Sequence, residues 1–379
     1  MTYEYPPVGG GGGQTALKLS EEFARDGHNV HVLTSHCRGL SHEKTIGRLR
    51  VTRMWCMRKK LDRCSIFEMI VYIVVAIFRG QQLIKYQWPD VVLSVFAIPS
   101  GVAGFFLATS KSAPHVISLQ GGDVPGFLAN EIGIYHTICM PLTRYLWRRA
   151  ASVVANSNGL AQLSCKSVKD VTVKVIPMGV DAVKFRPNDD IENCKNPNDA
   201  VECIFVGRLV AQKDPLSLIK CFSLAVKEIG TSIRLNIYGD GILEKKLRQF
   251  VVEEGLQRQV IFHGWIDYKR MPEAFRSSDI YLQTSHFEGM SGALMQAMAS
   301  GLPVILFSCQ GQEMIENGVS GIIIESRNII EYAEKIVLLH SNPQLRSNMG
   351  MAARATALTQ SWDVIAKRYL DLFYEAHRQ

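Results

Sequence analysis

The 379-residue chain has no CxxC pair and no Cys/His cluster at zinc-ligand spacing. Its nine cysteines are scattered and odd in number, which excludes a disulfide scaffold and suits a reducing cytoplasm. It lacks an unbroken apolar run of the ~20 residues that a membrane span needs. Residues 66–78 are apolar but contain Glu68, and residues 91–108 are split by Pro99, Ser100 and Gly101 into a strand and a helix start. Neither is expected to span. The first residues are polar and rich in proline and glycine, unlike a secretory leader. There is no Asp-x-Asp at a strand end, and Asp189-Asp190 falls in a polar stretch. No aromatic and basic residues interleave in a binding motif, so nucleic acid is not an expected partner.

What is present is a globular composition, 47% hydrophobic and 20% charged, at a length suited to two domains. The formal net charge of +7 is uneven. Residues 1–180 hold 20 basic and 11 acidic side chains; residues 181–379 hold 22 and 24. Short apolar runs at 30–34, 91–96, 115–119, 152–156 and 173–176 alternate with helical patterns. The pattern restarts at 202–206, 234–238, 260–263, 280–283, 303–307 and 321–324. This predicts βαβ units and parallel sheets covered on both faces. The polar segment 186–200 (RPNDDIENCKNPNDA) reads as a linker between a domain at 1–185 and another at 201–360. Two doubly wound domains facing each other place a ligand cleft at their strand ends. One element is missing: the chain enters a glycine loop where a doubly wound domain should open with a strand.

Several junctions carry chemistry. Gly9–Gly13 precede a helix expected over 15–26, and a glycine loop before a helix lets backbone N–H groups approach an anion. A glycine run alone can equally be a flexible turn. The spacing is not GxGxxG with a later acidic residue, which disfavours a dinucleotide-dependent oxidoreductase. Arg208 and Lys213, five apart in the loop after strand 202–206, can clamp a diphosphate. Tyr238-Gly239-Asp240-Gly241 marks another strand end. Glu288-Gly289-Met290-Ser291-Gly292 leads into a helix at 294–300, with small residues that open its N-terminus to a phosphate.

Together GRLVAQKD, YGDG and FEGMSGALMQAMASGLPVI resemble the retaining glycosyltransferases of family 4, which have the GT-B fold. PPVGGGGG, IPSGVAGFFLA, GGDVPG and IPMGVDAVKFRP extend the resemblance over nearly the whole chain, and Trp362-Asp363 opens a final helix (361–379) of the kind that crosses back to the N-terminal domain. The resemblance implies that Arg208 and Lys213 bind the donor diphosphate and that Glu288, first carboxylate of an E-x7-E motif, contacts the donor sugar. It places Gly289, Met290 and Ser291 in the loop whose amides face the donor. It sets Gly10 and Gly11 near the donor phosphate and sugar, and Gly264 and Trp265 where the nucleobase packs. Two positions depart from the family. The second glutamate is Gln296, a neutral amide where the ribose hydroxyls are usually held. Gln120 stands where many members have a histidine near the reacting sugar.

The expected reaction is retaining transfer from a UDP- or GDP-linked sugar to a glycan or lipid-linked acceptor in cell-surface polysaccharide or glycolipid synthesis. Negative charge grows on the leaving diphosphate. Arg208, Lys213 and a helix N-terminus take the place of a metal, so neither a metal nor another cofactor is expected. A degenerate, non-catalytic nucleotide-sugar binder is the alternative that Gln296 and Gln120 suggest. Asp123 is a candidate acceptor-side base and His286 a site-lining residue; His28, His263, Glu313 and Glu316 read as structural or solvent-facing. Residues 38–63 carry nine Lys/Arg against Glu43 and Asp62, just before the apolar 66–78 segment. Residues 66–78 read first as a core helix behind a solvated basic strand, and the 38–63 patch is a candidate for peripheral contact with an anionic membrane face.

Overall fold

The computed structural model describes residues 1–61, 64–85, 88–127, 129–187 and 200–378. Arg63 and most of the expected linker (188–199) lie outside the described residues. The chain divides into two compact units, Met1–Gly179 with Trp362–Gln379, and Val180–Ser361.

The first unit begins with α1 (Gly11–Arg25), which starts four residues earlier than its sequence suggests, so that glycines form its first turn. There follow β1 (Val30–Cys37), β2 (Glu43–Ile46), β3 (Leu49–Arg58), α2 (Ile66–Ile84), β4 (Val92–Val95) and α3 (Ser100–Ser110). Then come β5 (His115–Leu119), α4 (Ala129–Arg149), β6 (Ser152–Ala155), α5 (Asn158–Ser167) and β7 (Val173–Val175). The strands form a β1-β3-β2 sheet and a β4-β5-β6-β7 sheet, parallel except for the β2–β3 hairpin. The expected gap at the opening strand is partly filled. Thr2 N–H donates to the Leu33 carbonyl (3.1 Å) and Val95 N–H to the Met1 carbonyl (3.0 Å), so the first residues lie between β1 and β4.

The β2–β3 hairpin was not expected as two strands. Charged side chains interrupt its apolar signal, yet Leu49, Val51, Met54 and Cys56 are buried while Trp55 and Met57 face outward. Helix α2 is also longer than the 13 apolar residues suggest. Ser65 and Glu68 close a capping box at its start, and Gly80 admits Leu107 against its last turns. At 19 residues it is the one helix among the described residues long and apolar enough to cross a membrane.

The second unit runs β8 (Val201–Val206), α6 (Pro215–Ile229), β9 (Ile233–Tyr238), α7 (Glu244–Glu253), β10 (Val260–Gly264), α8 (Met271–Arg276) and β11 (Ile280–Gln283). It continues with α9 (Gly292–Ala299), β12 (Val304–Phe307), β13 (Ile322–Ile324), α10 (Ile329–Ser341) and α11 (Pro343–Leu358). Its parallel sheet has the order β10-β9-β8-β11-β12-β13. That is the doubly wound 3-2-1-4-5-6 arrangement, whose switch point lies between β8 and β11. Phe205, Phe222, Leu235, Ile237, Ile305 and Tyr332 build a core sealed from water. Four of these helices start at side-chain caps: Asp214 with Pro215 for α6, Ser291 for α9, Asn328 for α10 and Asn342 for α11. The last helix, α12 (Trp362–Arg378), belongs to the first unit. Its Trp362, Ile365 and Tyr369 pack with Leu19 and Phe23 of α1, and the Tyr369 hydroxyl meets Ser118 Oγ at 2.8 Å.

Candidate functional site

The loops after β8 and β11 meet at the switch point of the second unit. Lys213 follows β8 and Glu288 follows β11, and their side chains form an ion pair. Both are well shielded, at 17% and 7% side-chain exposure, and Ser285 Oγ donates to the same Glu288 oxygen at 2.7 Å. Arg208, on the same loop as Lys213, is exposed and reaches Gln212 Oε1 at 3.2 Å. The loops are stitched by their backbones too. His286 N–H donates to the Gln212 carbonyl (2.8 Å), Gln212 Nε2 to the Phe287 carbonyl (2.9 Å) and Thr284 Oγ1 to the Asp214 carbonyl (2.8 Å).

Two glycines are required by close approach. A Cβ on Gly239, whose φ is +130°, would overlap the Gly207 carbonyl oxygen; one on Gly311 (φ +82°) would overlap that of Gly289. These contacts hold YGDG and the 309–312 segment against the two site loops. Burial pushes the Cys309 thiol up to about 12, with the Glu288 carboxylate adding to the shift, so it stays a neutral thiol.

Of the residues expected from sequence, Arg208, Lys213, Glu288, Gly289, Met290 and Ser291 are brought together here. Met290 is buried, and Ser291 caps α9 through the Leu294 N–H. Gln296, one turn into α9, has a buried Oε1 that no protein group meets, which leaves an acceptor for a ligand donor. Gly264 lies at the end of β10, where its carbonyl accepts the Gly239 N–H (2.7 Å), and Trp265 beside it is 71% exposed. His263 stacks on Tyr238 at 4.3 Å and bonds Asn236, a packing role. His286 Nε2 lies 3.4 Å from Asp214 Oδ2.

Gly10, Gly11 and Asp123 belong to the first unit. Gly10 is the N-cap of α1, its N–H bonded to Glu4 Oε2 at 2.9 Å, and no atom stands within 4 Å of where a Cβ on Gly10 or Gly11 would be. The Glu4 carboxylate thus already faces the positive end of α1. Both Asp123 oxygens accept backbone N–H groups, Oδ2 from Ala97 (2.7 Å) and Oδ1 from Gln120 (2.9 Å) and Gly121 (3.0 Å). Asp123 thus ties the β4–α3 junction to the loop after β5, and burial raises its carboxyl above the usual range. Gln120 Nε2 donates to Ser118 Oγ at 3.0 Å. Among the described residues, no three His, Cys, Asp or Glu side chains converge as a metal site.

Sequence reasoning missed Arg327. From 113 residues beyond, its guanidinium donates to Asp214 Oδ2 (2.7 Å) and to the Thr284 (2.9 Å) and Ser285 (3.1 Å) carbonyls, while it lies over the Phe307 ring. No motif marks it. Asp214 had a signal in Asp-Pro, an N-cap followed by proline at the first helical position.

Two doubly wound units, one with cations and a carboxylate at its switch point, have the architecture of a GT-B glycosyltransferase. The family model of "Glycosyltransferase Family 4" matches residues 9–184, and that of "Glycosyl transferases group 1" matches residues 188–356. An uncharacterised glycosyltransferase of Methanocaldococcus jannaschii is 27% identical over 299 residues, covering 78% of each chain. Sucrose-phosphate synthase from Thermosynechococcus elongatus superposes with a TM-score of 0.81 at 19% identity, over 97% of this chain and 93% of that one. Anabaena HepE in complex with UDP-glucose superposes with a TM-score of 0.75 at 17% identity, over 99% and 98%. The chain belongs to the group 1 glycosyltransferases.

Proposed function

We propose that this enzyme transfers a sugar, with retention and without a metal, from a nucleotide-diphosphate sugar to a glycan or lipid-linked acceptor in cell-surface polysaccharide or glycolipid synthesis. The Lys213–Glu288 pair at the β8/β11 switch point carries the reading. Transfer breaks the bond between the anomeric carbon and the diphosphate oxygen, and the electron pair leaves with the nucleotide diphosphate. The acceptor hydroxyl oxygen forms the new bond at that carbon and its proton passes to the departing diphosphate oxygen. Lys213, shielded and held by Glu288, and the exposed Arg208 offset the charge growing on the leaving group. Glu288 holds Lys213 in place and orients the sugar, with Gly289, Met290 and Ser291 lining the donor. Gln296 Oε1 accepts from the ribose, and Gly264 and Trp265 flank the base.

A UDP-linked donor is favoured over a GDP-linked one, because HepE was solved with UDP-glucose. We place the enzyme in the cytoplasm, in peripheral contact with the inner membrane face; its eight described cysteines are free thiols. The test is product analysis. Purified enzyme and a UDP-sugar should yield a product of the donor's anomeric configuration, with a rate unchanged by a chelator. An inverted product overturns retention, and activity lost to chelator and restored by a divalent ion overturns metal independence.

A further inference from the structure

Over residues 66–78 helix α2 is apolar apart from Glu68. Glu68, Tyr72, Ala76, Gly80 and Ile84 form its buried face, and Phe67, Ile70, Val74 and Phe78 make an opposite stripe that stands exposed. A surface helix ordinarily turns a polar face to water. Helix α3 packs against both α2 and α4, and Ile138 and Leu142 stand exposed on α4. A patch extended over neighbouring helices marks an interaction site.

The rim of this face is basic. Exposed Lys59 and Lys60 precede α2, Arg79 and Lys85 mark its other end, and Arg144 and Arg149 stand exposed on α4. Lys111, at the end of α3, lies 4.0 Å over the ring of the exposed Trp88, a pairing suited to the headgroup level. The one acid within α2, Glu68, is turned inward to accept the Ser65 and Lys59 N–H groups. The 38–63 segment contributes fewer free cations than its sequence implies. Arg53 donates to the Ser41 and Pro6 carbonyls, and Arg58 to those of Lys60 and Leu61.

We infer that the apolar face of α2 and α4, ringed by cations, seats on an anionic lipid bilayer and lies in its interface without crossing it. Crossing is excluded by the inner face of α2. Tyr72 is fully buried, donates its hydroxyl to the Thr2 carbonyl (3.0 Å) and packs edge-on against Tyr3 at 4.9 Å. Withdrawing α2 into a bilayer would tear open that core. A second copy is the poorer occupant, because a two-fold contact through this face would set the two basic rims against each other. Anionic headgroups complement the rim, and acyl chains take the stripe. The purpose assigned to this contact, delivery of a lipid-linked acceptor, rests on the transferase reading above.

The experiment is co-sedimentation of the full chain with phosphatidylcholine vesicles, with and without phosphatidylglycerol, at physiological salt. Wild type should pellet with the anionic vesicles. Phe67→Ser/Phe78→Ser should weaken that partition by about tenfold or more, the loss of two large inserted side chains. Lys59→Glu/Lys60→Glu removes no packing and should lower binding to anionic vesicles alone. Wild type that stays in the supernatant, or serine and glutamate variants that partition as wild type does, would overturn the inference. So would a wild-type dimer that becomes monomeric in the serine variant with vesicle partition unchanged. The rise in melting temperature with UDP, measured on each protein, checks folding and reports separately on the donor reading. An enzyme that UDP stabilises but vesicles do not retain loses the docking face and keeps its activity assignment.

Discussion

Arg327 donates to Asp214 Oδ2 at 2.7 Å and, with the same guanidinium, to the Thr284 and Ser285 carbonyls. One side chain thus ties the residue after Lys213 to the strand end three residues before Glu288. It touches neither member of the Lys213–Glu288 pair, yet it fixes the two loops that carry them. Arg327→Ala is therefore expected to lower kcat by about a hundredfold, the scale of a displacement of roughly 1 Å at a reacting centre. Affinity for UDP should change less. Arg327→Lys should recover only part of the rate, since an ammonium cannot span three acceptors in fork geometry. Steady-state kinetics with UDP titration separates the two; equal losses in kcat and UDP affinity would contradict a positioning role.

Glu288→Ala leaves the Lys213 ammonium without its partner in a shielded site. Breaking such a pair costs about 3 kcal/mol in folding stability. Transfer should fall by at least about a hundredfold, because the orienting carboxylate is gone as well. Lys213→Met/Glu288→Leu removes both charges. Its urea midpoint should return toward wild type while its activity stays low. A double variant no more stable than Glu288→Ala would show that the pair is not the cause.

The two units differ in how far their sequence disclosed them. In the second, each strand ends at glycine or at small and acidic residues, and helix caps such as Asp214 and Asn328 stand at the helix starts. Period and punctuation agree there, and the strands fall within a residue of expectation. In the first, Arg50, Arg53 and Arg58 interrupt β3, so a strand held by Leu49, Val51 and Cys56 reads as a charged segment. Helix α2 reads short because Arg79 and two glutamines follow Phe78, although the buried Gly80 and Ile84 carry it on. The site was legible where local sequence positions a residue, as for Arg208, Lys213 and Glu288. Arg327 was not, because only the folded sheet brings it to Asp214.

Gln296 gives a gain-of-function test. Its Oε1 is buried and unpartnered, and a carboxylate there would accept ribose hydroxyl donors more strongly than an amide. Gln296→Glu is expected to lower the donor KM roughly three- to tenfold with little change in kcat. Without ligand the new charge is buried and unpaired, so the melting temperature should fall, and saturating UDP-sugar should restore it. An unchanged KM would remove Gln296 from the donor site.

His115 sets an acid limit on the first unit. Burial lowers its imidazole to about 3, and its Nε2 lies 2.9 Å from Ser94 Oγ, with Nδ1 unpartnered. The folded chain therefore holds it neutral at pH 5, whereas the unfolded chain, with an ordinary value near 6.5, takes up a proton. Stability is flat above about pH 7 and falls as the pH drops through 6.5 toward 3, because only the unfolded state gains the proton. Between pH 7 and pH 5 the loss from this residue is about 2 kcal/mol. His31, lowered to about 4 chiefly by burial, acts in the same direction. His115→Asn should start less stable at pH 7, where it gives up a well-packed ring, but lose about half as much on acidification. Denaturation midpoints at the two pH values measure this directly, and parallel losses in wild type and variant would assign the acid sensitivity to other groups.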